Sequence, residues 1–145
     1  DLINTKQPMD RVAVIRRANF NAAHKLWNEH WSTEKNKAIF GLCANEHYHG
    51  HNYIIEVKVI GEIDLETGYV IDLKILKNII KNEVEERFDH KNLNLDTEEF
   101  KHLNPTAENI IVVIYRLIRA QLDAKYELYI KLWETEKNIV EYPVK

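Results

Sequence analysis

From His49 to Val59 the residues His49, His51, Tyr53, Ile55, Val57 and Val59 alternate with Gly50, Asn52, Ile54, Glu56 and Lys58. A period of two marks a strand with one buried face. Gly61 and the run from Asp64 to Gly68 then supply a turn. Two imidazoles share parity with the apolar side chains, so the sheet that this strand joins must carry both on the face that holds its core.

The rest of the chain is read against that strand. Val12, Val14, Ala18, Phe20 and Ala22 form a second alternation, broken at Arg16, and His24 continues its parity. Lys25 to Phe40 is polar with Trp27, Trp31 and Phe40 interspersed and predicts a long irregular excursion. Asp72 offers an N-cap to a helix with Leu73, Leu76, Ile80 and Val84 at helical spacing, ending near Phe88. A second helix is expected from Thr106, with Ile110, Ile114, Leu117 and Leu122 on one stripe, and Asp89 to Asn104 is a loop. Tyr126, Leu128, Ile130 and Leu132 define a third strand, which a turn over Glu134 to Asn138 returns through Ile139 and Val140. The order ββααββ predicts an α+β domain, with two helices on one face of a four-stranded antiparallel sheet.

A chain of 145 residues buries one core and is short for two. Residues 11–145 are read as one domain, and residues 1–10 as an N-terminal extension in which Met9 is a possible natural start. The 20 basic and 23 acidic residues are interspersed, with no basic block that would neutralise a phosphate backbone, so nucleic acid is not expected as a partner. No long apolar run suggests a membrane segment, and a single cysteine, Cys43, cannot close an intrachain disulfide. The expectation is a cytoplasmic protein.

His49 and His51 are two apart in a strand and so project together, which lets both imidazoles reach one ion. An H-x-H pair alone is as readily a polar strand end. His24, at the end of the other strand, completes a three-histidine site if the two strands pair as a hairpin. Three neutral imidazoles leave one tetrahedral position for water or substrate, as in catalytic rather than structural zinc sites. His47 shares the parity and competes as a ligand, while His30, His90 and His102 do not fit the spacing as well. Cys43 is either a small buried hydrophobe or, beside a cation, a thiolate base. Glu46 is a solvated loop carboxylate or a second acid or base. Asp89 and His90 are turn residues or a carboxylate tuning an imidazole. Glu134 continues the apolar parity of the third strand. It is a strand-end carboxylate reaching solvent, or one satisfied by a ligand with two parallel N–H groups.

Taken together, FNAAHKL at Phe20 to Leu26, the run from Cys43 through HGHNY, DLKILK at Asp72, FDHKNLN at Phe88, PTAEN at Pro105 and the late Glu134-Thr135 resemble the 6-pyruvoyl-tetrahydropterin synthase family. The resemblance covers the chain from about residue 11. It implies His24, His49 and His51 as zinc ligands, and Cys43, Asp89 and His90 as the proton-transfer set. It further implies Glu134 as the pterin anchor, with Thr106 and Glu108 lining the pterin pocket. It also implies a tunnelling fold (T-fold), in which trimers close their sheets into a barrel and two trimers stack as a homohexamer.

The implied substrate is 7,8-dihydroneopterin triphosphate, and the implied products are 6-pyruvoyl-tetrahydropterin or, in the queuosine pathway, 6-carboxy-tetrahydropterin. Cys43 together with Glu46 also resembles a branch that carries both residues and includes a folate-directed cleavage to 6-hydroxymethyl-dihydropterin. A zinc-stabilised, non-enzymatic oligomeric binding module is the alternative from outside the enzymes.

Overall fold

The computed structural model describes residues 10–145, and the expected extension lies outside them except for Asp10. The carbonyl of Asp10 accepts from the Ile63 amide at 3.1 Å and so ties to the turn after the second strand. The elements run β1 (Arg11–His24), α1 (Thr33–Phe40), β2 (His49–Glu62), α2 (Leu73–Ile80), α3 (Glu86–Phe88), β3 (Lys91–Asn92), α4 (Leu93–Asp96), α5 (Ala107–Arg119), β4 (Glu127–Trp133) and β5 (Ile139–Tyr142). A π-helical turn, Lys81–Glu85, joins α2 to α3.

β1 and β2 pair antiparallel along their whole length, from Arg11 opposite Glu62 to His24 opposite His49. β4 pairs with β2 and β5 with β4, both antiparallel. The sheet order is β3-β1-β2-β4-β5. The four expected strands form the antiparallel part. The fifth, β3, is only two residues long and lies parallel to Ala22 and Ala23, so the sheet is mixed. Two residues cannot display a period, so the segment reads as loop in the sequence.

The inward residues of three strands meet the two helices. Phe20, Ala22, Tyr53, Ile55, Val57, Val59, Leu128, Ile130 and Leu132 are buried. Leu76, Ile80, Val84 and Phe88 face them from α2 to α3, and Ile110, Ile111, Ile114 and Ile118 face them from α5. Leu73, expected on the helical stripe, is exposed, because it follows the Asp72 cap before the helix has turned onto the sheet. The Asp72 carboxylate accepts from the Lys74 amide at 2.9 Å, and the Thr106 hydroxyl caps α5 by accepting from Asn109 at 3.1 Å. On the other face of the sheet, Arg17 pairs with Glu56 at 2.6 Å and lies over the Trp133 ring at 5.2 Å.

The excursion after β1 is more ordered than its polarity suggests. Ser32 caps α1 by accepting from Lys35 at 3.1 Å. Asn36, fully buried, accepts from the Asn28 amide at 2.7 Å and donates to the carbonyls of Asn28 at 2.9 Å and Ser32 at 3.1 Å. One amide side chain thus satisfies several main-chain groups of a segment that lacks a core of its own. No helix among the described residues is long and apolar enough to cross a membrane.

Candidate metal centre

The β1–β2 register sets His24 directly across from His49, with His51 two residues further along the same face. The three rings lie at centroid distances of 4.5, 5.1 and 4.9 Å, and one nitrogen from each falls within 4.8 Å of the others. His24 is buried, and its Nδ1 lies 2.7 Å from the Pro105 carbonyl oxygen. A carbonyl only accepts, so Nδ1 carries the proton and Nε2 presents its lone pair. The Nδ1 of His49 and the Nε2 of His51 are buried without a hydrogen-bond partner. Buried polar atoms are rarely left in that condition. A divalent ion, at the roughly 2.0–2.1 Å of zinc–imidazole bonds, would satisfy them.

Burial favours the neutral form of two of the rings, His24 and His49. Burial is the main cause that lowers the His24 pKa to about 4, with His49 and His51 adding to it against the Pro105 hydrogen bond. Burial first, then His51, also lowers that of His49. Neutral imidazoles are the form that binds metal.

The Glu134 carboxylate stands 3.9 Å from His24 Nε2. It also faces a cavity of about 540 Å³ whose lining includes His51, Asn52, Trp133 and Arg17. The β4 parity brings it to this side, as the sequence pattern required. Tyr53, the next inward residue after His51, sets its hydroxyl 3.4 Å from His24 Nδ1. Burial, then the nearby Glu134 and Cys43, raise its pKa and hold it protonated. By its alternation with Ile55 and Val57, Tyr53 reads in the sequence as core alone. The signal it carried was a polar tip in the parity of the two histidines.

Cys43, half-buried, lies in the 3₁₀ turn Gly41–Ala44, and its carbonyl accepts from the Leu26 amide at 2.7 Å, which docks the turn beside the end of β1. Glu46 is exposed and bonds the His47 ring at 3.2 Å, and His47 is itself exposed and outside the cluster. Thr106 spends its hydroxyl on the α5 cap, and Glu108 is exposed on the first turn.

Asp89 and His90 are held elsewhere on the sheet edge. The Asp89 carboxylate accepts from the Asn21 amide at 2.8 Å and meets His90 Nδ1 at 3.0 Å. The His90 amide donates to the Asn21 carbonyl at 2.6 Å. His90 has φ 60°, a left-handed conformation that costs a side-chain-bearing residue about 1–3 kcal/mol. Its ring is mostly exposed, and none of its hydrogen bonds runs to the three histidines.

Fold and site together define a class: α+β proteins in which strand-end histidines build a three-nitrogen site suited to one divalent ion. A family model described as 6-pyruvoyl tetrahydropterin synthase matches residues 13–144. The 6-pyruvoyl tetrahydrobiopterin synthase of Drosophila melanogaster is 44% identical over 130 residues, spanning 89% of this chain and 77% of that one. The 6-carboxy-5,6,7,8-tetrahydropterin synthase of Rickettsia typhi is 29% identical over 148 residues, spanning 90% and 99%. The Caenorhabditis elegans 6-pyruvoyl tetrahydropterin synthase structure superposes with a TM-score of 0.89 at 34% identity, covering 97% of this chain and 100% of that one. The chain belongs to the 6-pyruvoyl tetrahydropterin synthase family and has its T-fold.

Proposed function

We propose that this chain is a zinc-dependent lyase that converts 7,8-dihydroneopterin triphosphate to 6-pyruvoyl-tetrahydropterin with loss of triphosphate. The observation that carries the reading is the convergence of three imidazoles, two with buried nitrogens that lack a partner. Family membership supports the substrate class. The stronger likeness to a pyruvoyl-forming relative than to a carboxy-forming one supports the product.

His24, His49 and His51 hold the zinc. When bound, it supplies Lewis acidity to the oxygens of the substrate side chain and makes their neighbouring C–H bonds more acidic. Glu134 anchors the pterin by accepting from its parallel N–H groups, with the Thr106 and Glu108 segment beside it. Cys43, as thiolate, takes the side-chain proton, and the electron pair left on carbon expels triphosphate from the neighbouring carbon. The Asp89–His90 pair returns protons during tautomerisation. Asp89 accepts from the His90 ring and so leaves the far ring nitrogen for transfer.

Asp89 and His90 are tied to the β1 edge rather than to the histidine cluster, which supports a site completed between subunits of a homohexamer. Glu46 points to solvent and pairs with His47, so no observation favours it over Cys43 as base. The reading extends to a cytoplasmic location, in keeping with one free thiol.

The test is incubation of zinc-loaded protein with 7,8-dihydroneopterin triphosphate and identification of products by mass spectrometry. Pyruvoyl-tetrahydropterin with released triphosphate is the expected result. Carboxy-tetrahydropterin would move the chain to queuosine synthesis, and absence of turnover by the zinc-loaded protein would sink the lyase reading.

A further inference from the structure

The second large cavity beside the metal centre has a different chemistry from the one that contains Glu134. It measures about 610 Å³, and its basic side chains are Lys25, Lys101, His30 and His102 against a single carboxylate, Glu29. It adjoins the metal centre through the sequence neighbours of two ligands. Lys25 follows His24, Tyr48 precedes His49, and these two histidines sit opposite each other in the sheet. Pro105, whose carbonyl accepts from His24 Nδ1, also lines it.

Lys25 is positioned with care in this wall. Its amide donates to Asn94 Oδ1 at 2.9 Å and its carbonyl accepts from Asn94 Nδ2 at 3.0 Å, so both sides of its backbone are clamped. Its ammonium lies over the Trp27 ring at 5.3 Å and the Tyr48 ring at 5.1 Å. Tyr48 takes φ 67°, an unfavourable conformation for such a residue. Lys25 makes no ion pair among the described residues. A cation steadied by aromatic faces keeps its full charge for an incoming anion, whereas a carboxylate partner would neutralise it.

We propose that Lys25 anchors the phosphate chain of the substrate in this cavity and so sets the preference for a phosphorylated pterin. The inference rests on the lyase reading. In that substrate a short carbon chain separates the ring from the phosphates, and a zinc held by His24, His49 and His51 would take the side-chain oxygens between them. The ring then belongs on the Glu134 side and the phosphates on the Lys25 side, each end meeting the cavity whose charge suits it.

The experiment is calorimetric titration of the zinc-loaded protein with inorganic tripolyphosphate, for the wild type, Lys25→Gln and Lys25→Arg. Zinc content and steady-state kinetics with 7,8-dihydroneopterin triphosphate are measured in parallel. Lys25→Gln should weaken tripolyphosphate binding by about tenfold or more and raise KM by a similar factor. Zinc content should stay unchanged, and Lys25→Arg should recover most of the affinity. Equal tripolyphosphate affinity in wild type and Lys25→Gln, or no binding by the wild type, overturns the proposal. Lys25-dependent tripolyphosphate binding without turnover of the pterin would support the anion site and overturn the lyase reading instead.

Discussion

Asp89 and Asn21 are joined across 68 positions of sequence, the Asn21 amide donating to the Asp89 carboxylate at 2.8 Å while the Asn21 carbonyl accepts from the next amide, that of His90, at 2.6 Å. This pair of bonds fixes where the imidazole of His90 stands. The Asn21 hydrogen bond, with smaller contributions from His90, lowers the Asp89 pKa. A carboxylate with a depressed folded pKa stabilises the protein above its unfolded value of roughly 3.9, and that contribution fades as pH falls through the folded value. Thermal unfolding of wild type and Asp89→Ala should therefore show a Tm gap at pH 7 that narrows as pH falls below the unfolded value. A gap that persists unchanged at pH 3 would remove ionisation from the account.

The neutral His24 predicts the opposite origin for a loss in the same direction. The unfolded ring takes a proton below a pH of roughly 6.5, while the folded ring resists until about 4. Metal-free protein should lose stability between those limits, on the order of 3 kcal/mol from this residue. Denaturant unfolding at pH 7 and pH 4.5 measures it, and His24→Gln should flatten the slope.

Removing a ligand should empty the site without unfolding the domain. His51→Ala leaves the buried strands Tyr53 to Val59 intact, so far-ultraviolet circular dichroism should match wild type while zinc by mass spectrometry drops from about one per chain towards none. Retention of stoichiometric zinc would exclude His51 as a ligand.

Cys43→Ala should fold, keep its zinc and lose turnover by about a hundredfold or more, the scale of a positioned base. Glu46→Gln should stay within about threefold of wild type, because that carboxylate pairs with His47 in solvent. The reverse pattern would exchange their roles.

Asn36→Leu should lower stability by about 2 kcal/mol or more, since the main-chain groups of Asn28 and Ser32 lose their partner inside a buried pocket. Its Tm against wild type is the measurement.

The clustering of His24, His49 and His51 was legible because strand parity and cross-strand position are local properties of the chain, and the two expected helices, α2 and α5, announced themselves by a cap and a stripe. Glu134 was legible for the same reason. Helix α1 was not, since it buries no apolar stripe and hangs on Asn36, whose partners are set by the tertiary fold. The anchoring of Asp89 to Asn21 was invisible because nothing near either residue names the other. The left-handed backbone angle at the entry to β2 falls at Tyr48 and not at Gly50. A Cβ on Gly50 would meet only the Ala22 carbonyl at an ordinary 3.6 Å.

The three clustered histidines and the hydrophobic core occupy one parity of one strand pair. A slip of a single residue between β1 and β2 would turn Ile55, Val57 and Val59 outward, and the same slip would part His24 from His49. With the proposed ion bound, its capture would act as a proofreading step on folding: a chain paired in the wrong register could hold neither its interior nor a metal, and only correctly threaded molecules would gain the added stability of the ion.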